Sequence, residues 1–205
     1  MLKKIFMLFK IGRKLSKSGA ISSIYEVYDA PFLIKILFYI IGFSFDDKKV
    51  NKNLHAGAKL CEALQGMGTT FIKLGQFLAT RPDIIGEDIS KELEKLQDKL
   101  PPFDLVVAKN ILIKELGNHN FNQITNISEP IAAASVAQVH FANINVLGKK
   151  KDVAIKILRP NIEKIFNEEL DALIFLAYLI ESLIKKTKRL KLVEVVQLLR
   201  EITIF

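Results

Sequence analysis

The chain has 205 residues, 50% of them hydrophobic, enough for one good-sized core or two small ones and too many for wholesale disorder. Its 30 lysines and arginines against 22 aspartates and glutamates leave a formal charge of +8, and Lys3, Lys4, Lys10, Arg13, Lys14 and Lys17 carry much of it with no acid among the first 20 residues. That distribution disfavours a broad nucleic-acid-binding surface and favours a basic arm facing anionic lipid, while Cys61, the single cysteine, excludes an internal disulfide framework and a cysteine-based zinc site.

Residues 1–17 set Leu2, Ile5, Phe6, Leu8, Phe9 and Leu15 at roughly helical intervals among the basic side chains. They have neither the apolar core nor the cleavage site of a secretory signal. Residues 32–45 are apolar apart from Lys35 but run only fourteen positions, where about twenty are needed to span a bilayer. They read as a buried helix or as one lying on a membrane face. A polar break at 46–53 sets off residues 1–45 as an extension.

At 54–78, Leu60, Leu64, Met67, Phe71, Leu74, Phe77 and Leu78 recur with a helical period. Gly57, Gly66, Gly68 and Gly75 interrupt it, each at a cost of about 1 kcal/mol relative to alanine in a helix interior. Either the helix is broken or something packs closely on its backbone. Pro82 ends or bends this element. A short amphipathic helix is expected over 89–100 through Leu93, Leu96 and Leu100, stopped by Pro101 and Pro102. Asp104 is placed to cap a helix over 105–116 that Gly117 closes, and the polar stretch 118–129 leads into a strand through Phe121 and Ile124.

After Pro130 the pattern changes to a strand at 136–142, a turn at 147–152 and a second strand at 153–158, ended by Pro160. Residues 162–184 read as a helix with Ile165, Phe166, Leu170, Leu173, Ile174, Ala177 and Leu183 available for burial. The basic stretch 185–191 reads as a solvated linker to an amphipathic segment at 192–199. The fold class is α+β: helices, a small antiparallel sheet, then helices, without internal repeats.

Lys156 lies on the second strand, flanked by Ile155 and Ile157, about twenty residues after the small-residue stretch 131–135. A loop of small side chains followed by a strand-borne lysine is how a kinase-like N-lobe holds nucleotide phosphates. Small residues let backbone N–H groups approach an anion, although alanine has less conformational freedom than glycine. By itself Lys156 also fits an ordinary exposed edge lysine, and the alanines a tight turn. His55, His119 and His140 lack ligand spacing, so no metal site is expected. His140 reads as a strand histidine with a structural hydrogen bond.

Pro130-Ile131-Ala132-Ala133-Ala134-Ser135-Val136-Ala137-Gln138-Val139-His140, followed by Val153-Ala154-Ile155-Lys156, resembles the UbiB/ABC1/ADCK/COQ8 atypical kinase-like family. Lys73-Leu74-Gly75-Gln76, Thr80-Arg81-Pro82-Asp83 and Leu93-Glu94-Lys95-Leu96-Gln97-Asp98 strengthen the match, which covers roughly residues 55–200. The resemblance implies a kinase-like N-lobe with an N-terminal helical extension and inserted helices. It divides the chain into the extension 1–45, a helical part 54–117 bearing the Lys-x-Gly-Gln signature, and a partial N-lobe at 118–205. It assigns Lys156 to the α- and β-phosphates of ATP, Ala132, Ala133, Ala134 and Ser135 to the loop over the nucleotide, and Lys73, Gly75 and Gln76 to a signature that folds across the active site. Without the resemblance, Lys73 is a solvated helix lysine and Gln76 gives no signal.

The glutamate that pairs with the strand lysine occurs in such proteins in a later Glu-Leu-Asp element, so Glu168 and Glu169 read as helix-surface acids and Lys156 is expected to lack an ion-pair partner. The 205 residues contain no His-Arg-Asp-type loop and no Asp-Phe-Gly. Magnesium is therefore expected only in an intact protein. The implied function is that of an N-terminal fragment, catalytically incomplete as it stands, of a UbiB-like ATP-dependent protein supporting ubiquinone (coenzyme Q) biosynthesis. Its expected place is peripheral, on the cytoplasmic face of the inner membrane. Implied partners are an anionic membrane surface, lipid or quinone precursors and a separately encoded C-terminal half, with no nucleic acid. The alternative is a non-catalytic membrane-surface or partner-binding remnant of a split or decaying gene.

Overall fold

A computed structural model describes residues 2–17, 55–98, 100–146 and 148–203, so the segments read at 32–45 and 46–53 lie outside the described residues. The helices are α1 (Leu2–Lys17), α2 (Ala56–Met67), α3 (Thr69–Ala79), α4 (Pro82–Ile85), α5 (Glu87–Leu93), α6 (Leu105–Phe121), α7 (Ile162–Leu183) and α8 (Leu192–Ile202). Four strands, β1 (Ile124–Thr125), β2 (Pro130–Ala133), β3 (Ala137–Val146) and β4 (Lys149–Leu158), lie between α6 and α7. The architecture is α+β with a small antiparallel sheet, as the sequence predicts. Two units result: Met1–Gln97 together with Glu163–Phe205, and Asp98–Ile162.

In the helical unit, Gly68 breaks the long periodic stretch. At φ 103 it occupies a conformation that side chains rarely adopt, and it separates α2 from α3. Gly75 does the other thing the sequence allows for: a Cβ there would lie 2.9 Å from Cδ1 of Leu64 and closer still to Leu96. Leu96 can fill that gap because α5 stops at Leu93, short of the helix expected to run to residue 100. Two carbonyls just beyond α5 are met by side chains instead. Gln76 Nε2 donates to Leu96 O at 3.5 Å and Gln65 Nε2 to Gln97 O at 3.0 Å.

Around this joint Leu64, Met67, Phe71, Ile89, Leu93 and Leu96 form one core, which Leu8 and Ile11 of α1 and Ala172 of α7 join. Phe166 and Leu170 of α7 pack with Val196 and Leu199 of α8 in a second cluster. Glu181 accepts the Val193 N–H at 3.1 Å near the start of α8, and Arg200 reaches Asp171 at 2.6 Å. Two expectations for α7 fail. Ile165 and Leu183 are exposed, while Glu169 is 7% exposed and so no surface acid. Glu169 stands three positions from Phe166, within the helical stripe that the packing buries. The basic stretch is a 3-10 helix over Lys185–Leu190 rather than an open linker.

In the sheet unit, Asp104 caps α6 as expected, accepting the Val106 N–H at 2.6 Å. Gly117, at φ 75, ends its regular part before the chain continues to Phe121. β4 runs antiparallel along all of β3, from Ala137↔Leu158 to Val146↔Lys149, while β1 and β2 share the other edge of β3. The expected turn at 147–152 shrinks to a two-residue connection, Gly148 within it at φ 76, because Lys149, Lys150 and Lys151 extend the strand as exposed ladder residues. Ala108 and Leu112 of α6 pack with Ile155 and Ile157, so the helix covers one face of the sheet.

The tight glycine and a loose one separate by mutation. Gly75→Val should lower unfolding stability by about 2 kcal/mol through overpacking. Gly66→Ala, with nothing within 4 Å of the new Cβ, should raise it by about 0.5 kcal/mol. Urea unfolding of the two variants against the parent reads both.

Candidate functional site

Strand alternation sends Ile155 and Ile157 towards α6 and Lys156 to the opposite face. Register then places its neighbours. Val139 on β3 pairs with Lys156 on β4 and with Ala132 on β2, so Ala132, Val139 and Lys156 form one row across three strands. Ala132 and Lys156 are both exposed, about 10 Å apart by the spacing of neighbouring strands. Among the described residues Lys156 has no ion-pair partner.

The alanine stretch is not a loop throughout. Ala132 and Ala133 end β2, and only residues 134–136 turn into β3. No residue from 132 to 136 has a positive φ, so the turn needs no glycine. Its polar groups are engaged within the unit. Ala134 N–H donates to Ala137 O at 2.8 Å, and Ser135 N–H donates to Oδ1 of Asp98 at 3.3 Å. Ser135 itself is fully buried.

Arg159, which sequence reasoning passed over, holds this turn from below. Its backbone N–H donates to Val136 O at 2.9 Å. Its Nε and Nη2 donate to Ala134 O at 3.1 and 2.9 Å, and Nη2 also reaches Leu100 O at 3.2 Å and Pro101 O at 3.0 Å. The guanidinium lies 5.8 Å from the centre of the Phe103 ring, and burial pushes its pKa down.

Gln138 and His140 form the buried counterpart on the α6 face. Gln138 Oε1 accepts the Phe103 N–H at 2.9 Å and its Nε2 donates to Phe103 O at 3.0 Å, which fixes the amide's orientation. The same Nε2 lies 2.9 Å from His140 Nε2, and His140 Nδ1 lies 2.8 Å from Ser128 O. A carbonyl can only accept, so the proton belongs on Nδ1 and Nε2 accepts from Gln138. His140 therefore has the structural role expected of it.

The signature residues lie on α3 of the helical unit. Lys73 Nζ donates to Oε1 of Gln76 at 3.2 Å, and both side chains are half-buried. Gly75, buried between them in sequence, leaves the space that Leu64 and Leu96 occupy. Close behind, Arg81 forks onto Asp83 at 2.8 and 2.7 Å, a hydrogen-bonded pair that holds the Asp83 carboxyl below its usual range. Among the described residues no three His, Cys, Asp or Glu side chains are grouped to hold a metal ion.

Comparison with known proteins agrees with these motifs. A model of the ABC1 atypical kinase-like domain matches residues 95–204. "Probable protein kinase UbiB" of Marinobacter nauticus is 37% identical over 170 residues, covering 82% of this chain and 30% of that protein. The protein of the same name from Shewanella baltica is 39% identical over 153 residues, 72% of this chain and 27% of its own length. That of Pseudomonas aeruginosa is 41% identical over 144 residues, 70% and 26%. The chain thus spans less than a third of the length of these relatives. No solved structure matches.

Gln138→Leu keeps the volume of the side chain but strands both polar groups of Phe103. It should cost about 2 kcal/mol of stability, measured by chemical denaturation.

Proposed function

Because the chain belongs to the ABC1 atypical kinase-like family, we propose that its sheet unit contributes the phosphate-contacting part of a nucleotide site in a UbiB-like, ATP-dependent protein that supports ubiquinone biosynthesis. The observation that carries this reading is the row Ala132–Val139–Lys156 on the sheet face opposite α6. An ammonium group with no ion-pair partner among the described residues and a strand end of small side chains share that row, a pairing suited to a triphosphate. Lys156 holds the α- and β-phosphates, and the turn at Ala134 and Ser135 borders them. Bound ATP would supply the transferable phosphoryl group. Lys73, Gly75 and Gln76 form the regulatory element of the same protein.

Phosphoryl transfer also needs metal ions bridging the phosphate oxygens, and the 205 residues carry no Asp-Phe-Gly or His-Arg-Asp-type loop. This polypeptide by itself is therefore expected to bind ATP weakly and to hydrolyse none above background. Isothermal titration with ATP, beside a phosphate-release assay, tests both parts. Lys156→Ala should weaken ATP binding at least tenfold, and steady hydrolysis that disappears in Lys156→Ala would refute the expected lack of turnover.

A second reading, a membrane-surface role, is favoured by α1. Leu8 and Ile11 are buried, yet Leu2 is 87% and Phe6 73% exposed, and Phe9, Lys10 and Arg13 are exposed with them. An apolar stripe edged by basic residues suits the interface of an anionic bilayer, with the protein lying on the membrane. No described helix is long and apolar enough to cross a membrane. Phe6→Asp should reduce cosedimentation with phosphatidylglycerol vesicles several-fold while leaving ATP affinity unchanged.

A further inference from the structure

The peptide between Ala134 and Ser135 is held from both sides. In a trans peptide the C=O and N–H point in opposite directions. Here the C=O receives Nε and Nη2 of Arg159, and the N–H donates to the Asp98 carboxylate. A cation faces the negative end of the peptide dipole and an anion its positive end, and hydrogen bonds to charged groups are roughly twice as strong as neutral ones. Rotating the peptide would break both. The residues on either side are alanine and serine, which lack the backbone freedom with which glycine would ease such a rotation.

Ala134 N–H is closed within the backbone onto Ala137 O, whereas the Ser135 N–H of this buried residue is closed by a side chain, so a phosphate oxygen could reach it only if the Asp98 carboxylate leaves. A carboxylate on a backbone N–H occupies the position that a phosphate oxygen takes in an anion-binding turn. We propose that the Asp98 carboxylate is a built-in competitor for the anion this turn would take, and that Arg159 is the positioning residue that keeps the Ala134–Ser135 peptide turned towards it. The proposal rests on the phosphate-binding reading of the turn. It makes nucleotide affinity depend on a side chain at the entry to the sheet unit, away from Lys156 in sequence.

The test uses the whole 205-residue chain, with ATP, inorganic tripolyphosphate and adenosine as probes and the Ser135 amide followed by NMR. Asp98→Asn should bind ATP and tripolyphosphate at least threefold more tightly than the parent, leave adenosine unchanged, and show faster exchange of the Ser135 amide. Tripolyphosphate should then shift that amide signal more in the variant than in the parent. If Asp98→Asn does not fold, Asp98→Ser serves in its place. Parent binding that the variant leaves equal or weakens overturns the competitor role while keeping the nucleotide reading. Tighter binding with no response at the Ser135 amide means general charge removal and also overturns it. If neither protein binds ATP or tripolyphosphate, the nucleotide reading falls, and this proposal with it.

Discussion

The sheet unit depends on satisfying a stretch of backbone that cannot pair with itself. Pro101 and Pro102 lack N–H groups, so the segment leading into α6 cannot join the sheet as a regular strand. Its carbonyls still need donors wherever they are shielded from water. Arg159 supplies them at Leu100 and Pro101, and Gln138 pairs with both polar groups of Phe103. The planar guanidinium matters because one rigid fork serves three carbonyls on two segments. A lysine ammonium on a flexible stem would lose more entropy for each bond made. With the segment pinned, Asp104 stands where it caps α6, and Ala108 and Leu112 meet Ile155 and Ile157.

The same arrangement explains why alanine suffices where related folds use glycine. Residues 132–136 need no positive φ, so a Cβ introduces no strain at the turn. Each glycine in their place would add roughly 0.5–1 kcal/mol of conformational entropy to be lost on folding. Alanine therefore gives a turn that is stable without a ligand, its donors answered by Ala137 and Asp98. What it gives up is adaptability. A glycine-rich turn can rotate its peptides freely, whereas rotating the Ala134–Ser135 peptide breaks its bonds to Arg159 and Asp98.

Much of this was legible in the sequence because period and punctuation are local signals. The strand alternation around Lys156, the cap at Asp104 and the stop at Gly117 were all readable. The glycines between 57 and 75 announced a break or a close contact, but only the structure tells Gly68, which breaks the helix, from Gly75, which admits Leu96. Pairing register is nonlocal, so the row that joins Ala132 to Lys156 could not be read from either strand alone. Gln138 and Arg159 were missed for a related reason. A polar residue inside a strand and a cation just before a proline carry no periodic signal, and their partners lie 35 and 25 residues away. Glu169 misled in the opposite direction, since its charge suggested the surface while its place in the stripe of α7 decided its burial.

The clamp at Arg159 also bears on how the helical unit closes. That unit is discontinuous: the chain leaves it at Gln97 and returns at Glu163, yet Ala172 of the returning segment belongs to the same cluster as Leu64 and Leu93. Were residues 98–162 an unfolded connection, closing the cluster would carry the entropy of a long loop, a cost that grows as about (3/2)RT ln n. The fold shortens that loop. Arg159, near the exit of the sheet unit, bonds to Leu100 and Pro101 near its entry, so the two chain crossings lie side by side once the sheet has formed. β3 and β4 are joined by a two-residue connection and make mainly local contacts, the kind that form early. Sheet first, then helical core, is the order in which each step lowers the entropic cost of the next, because the guanidinium on three carbonyls brings the two ends of residues 98–162 together.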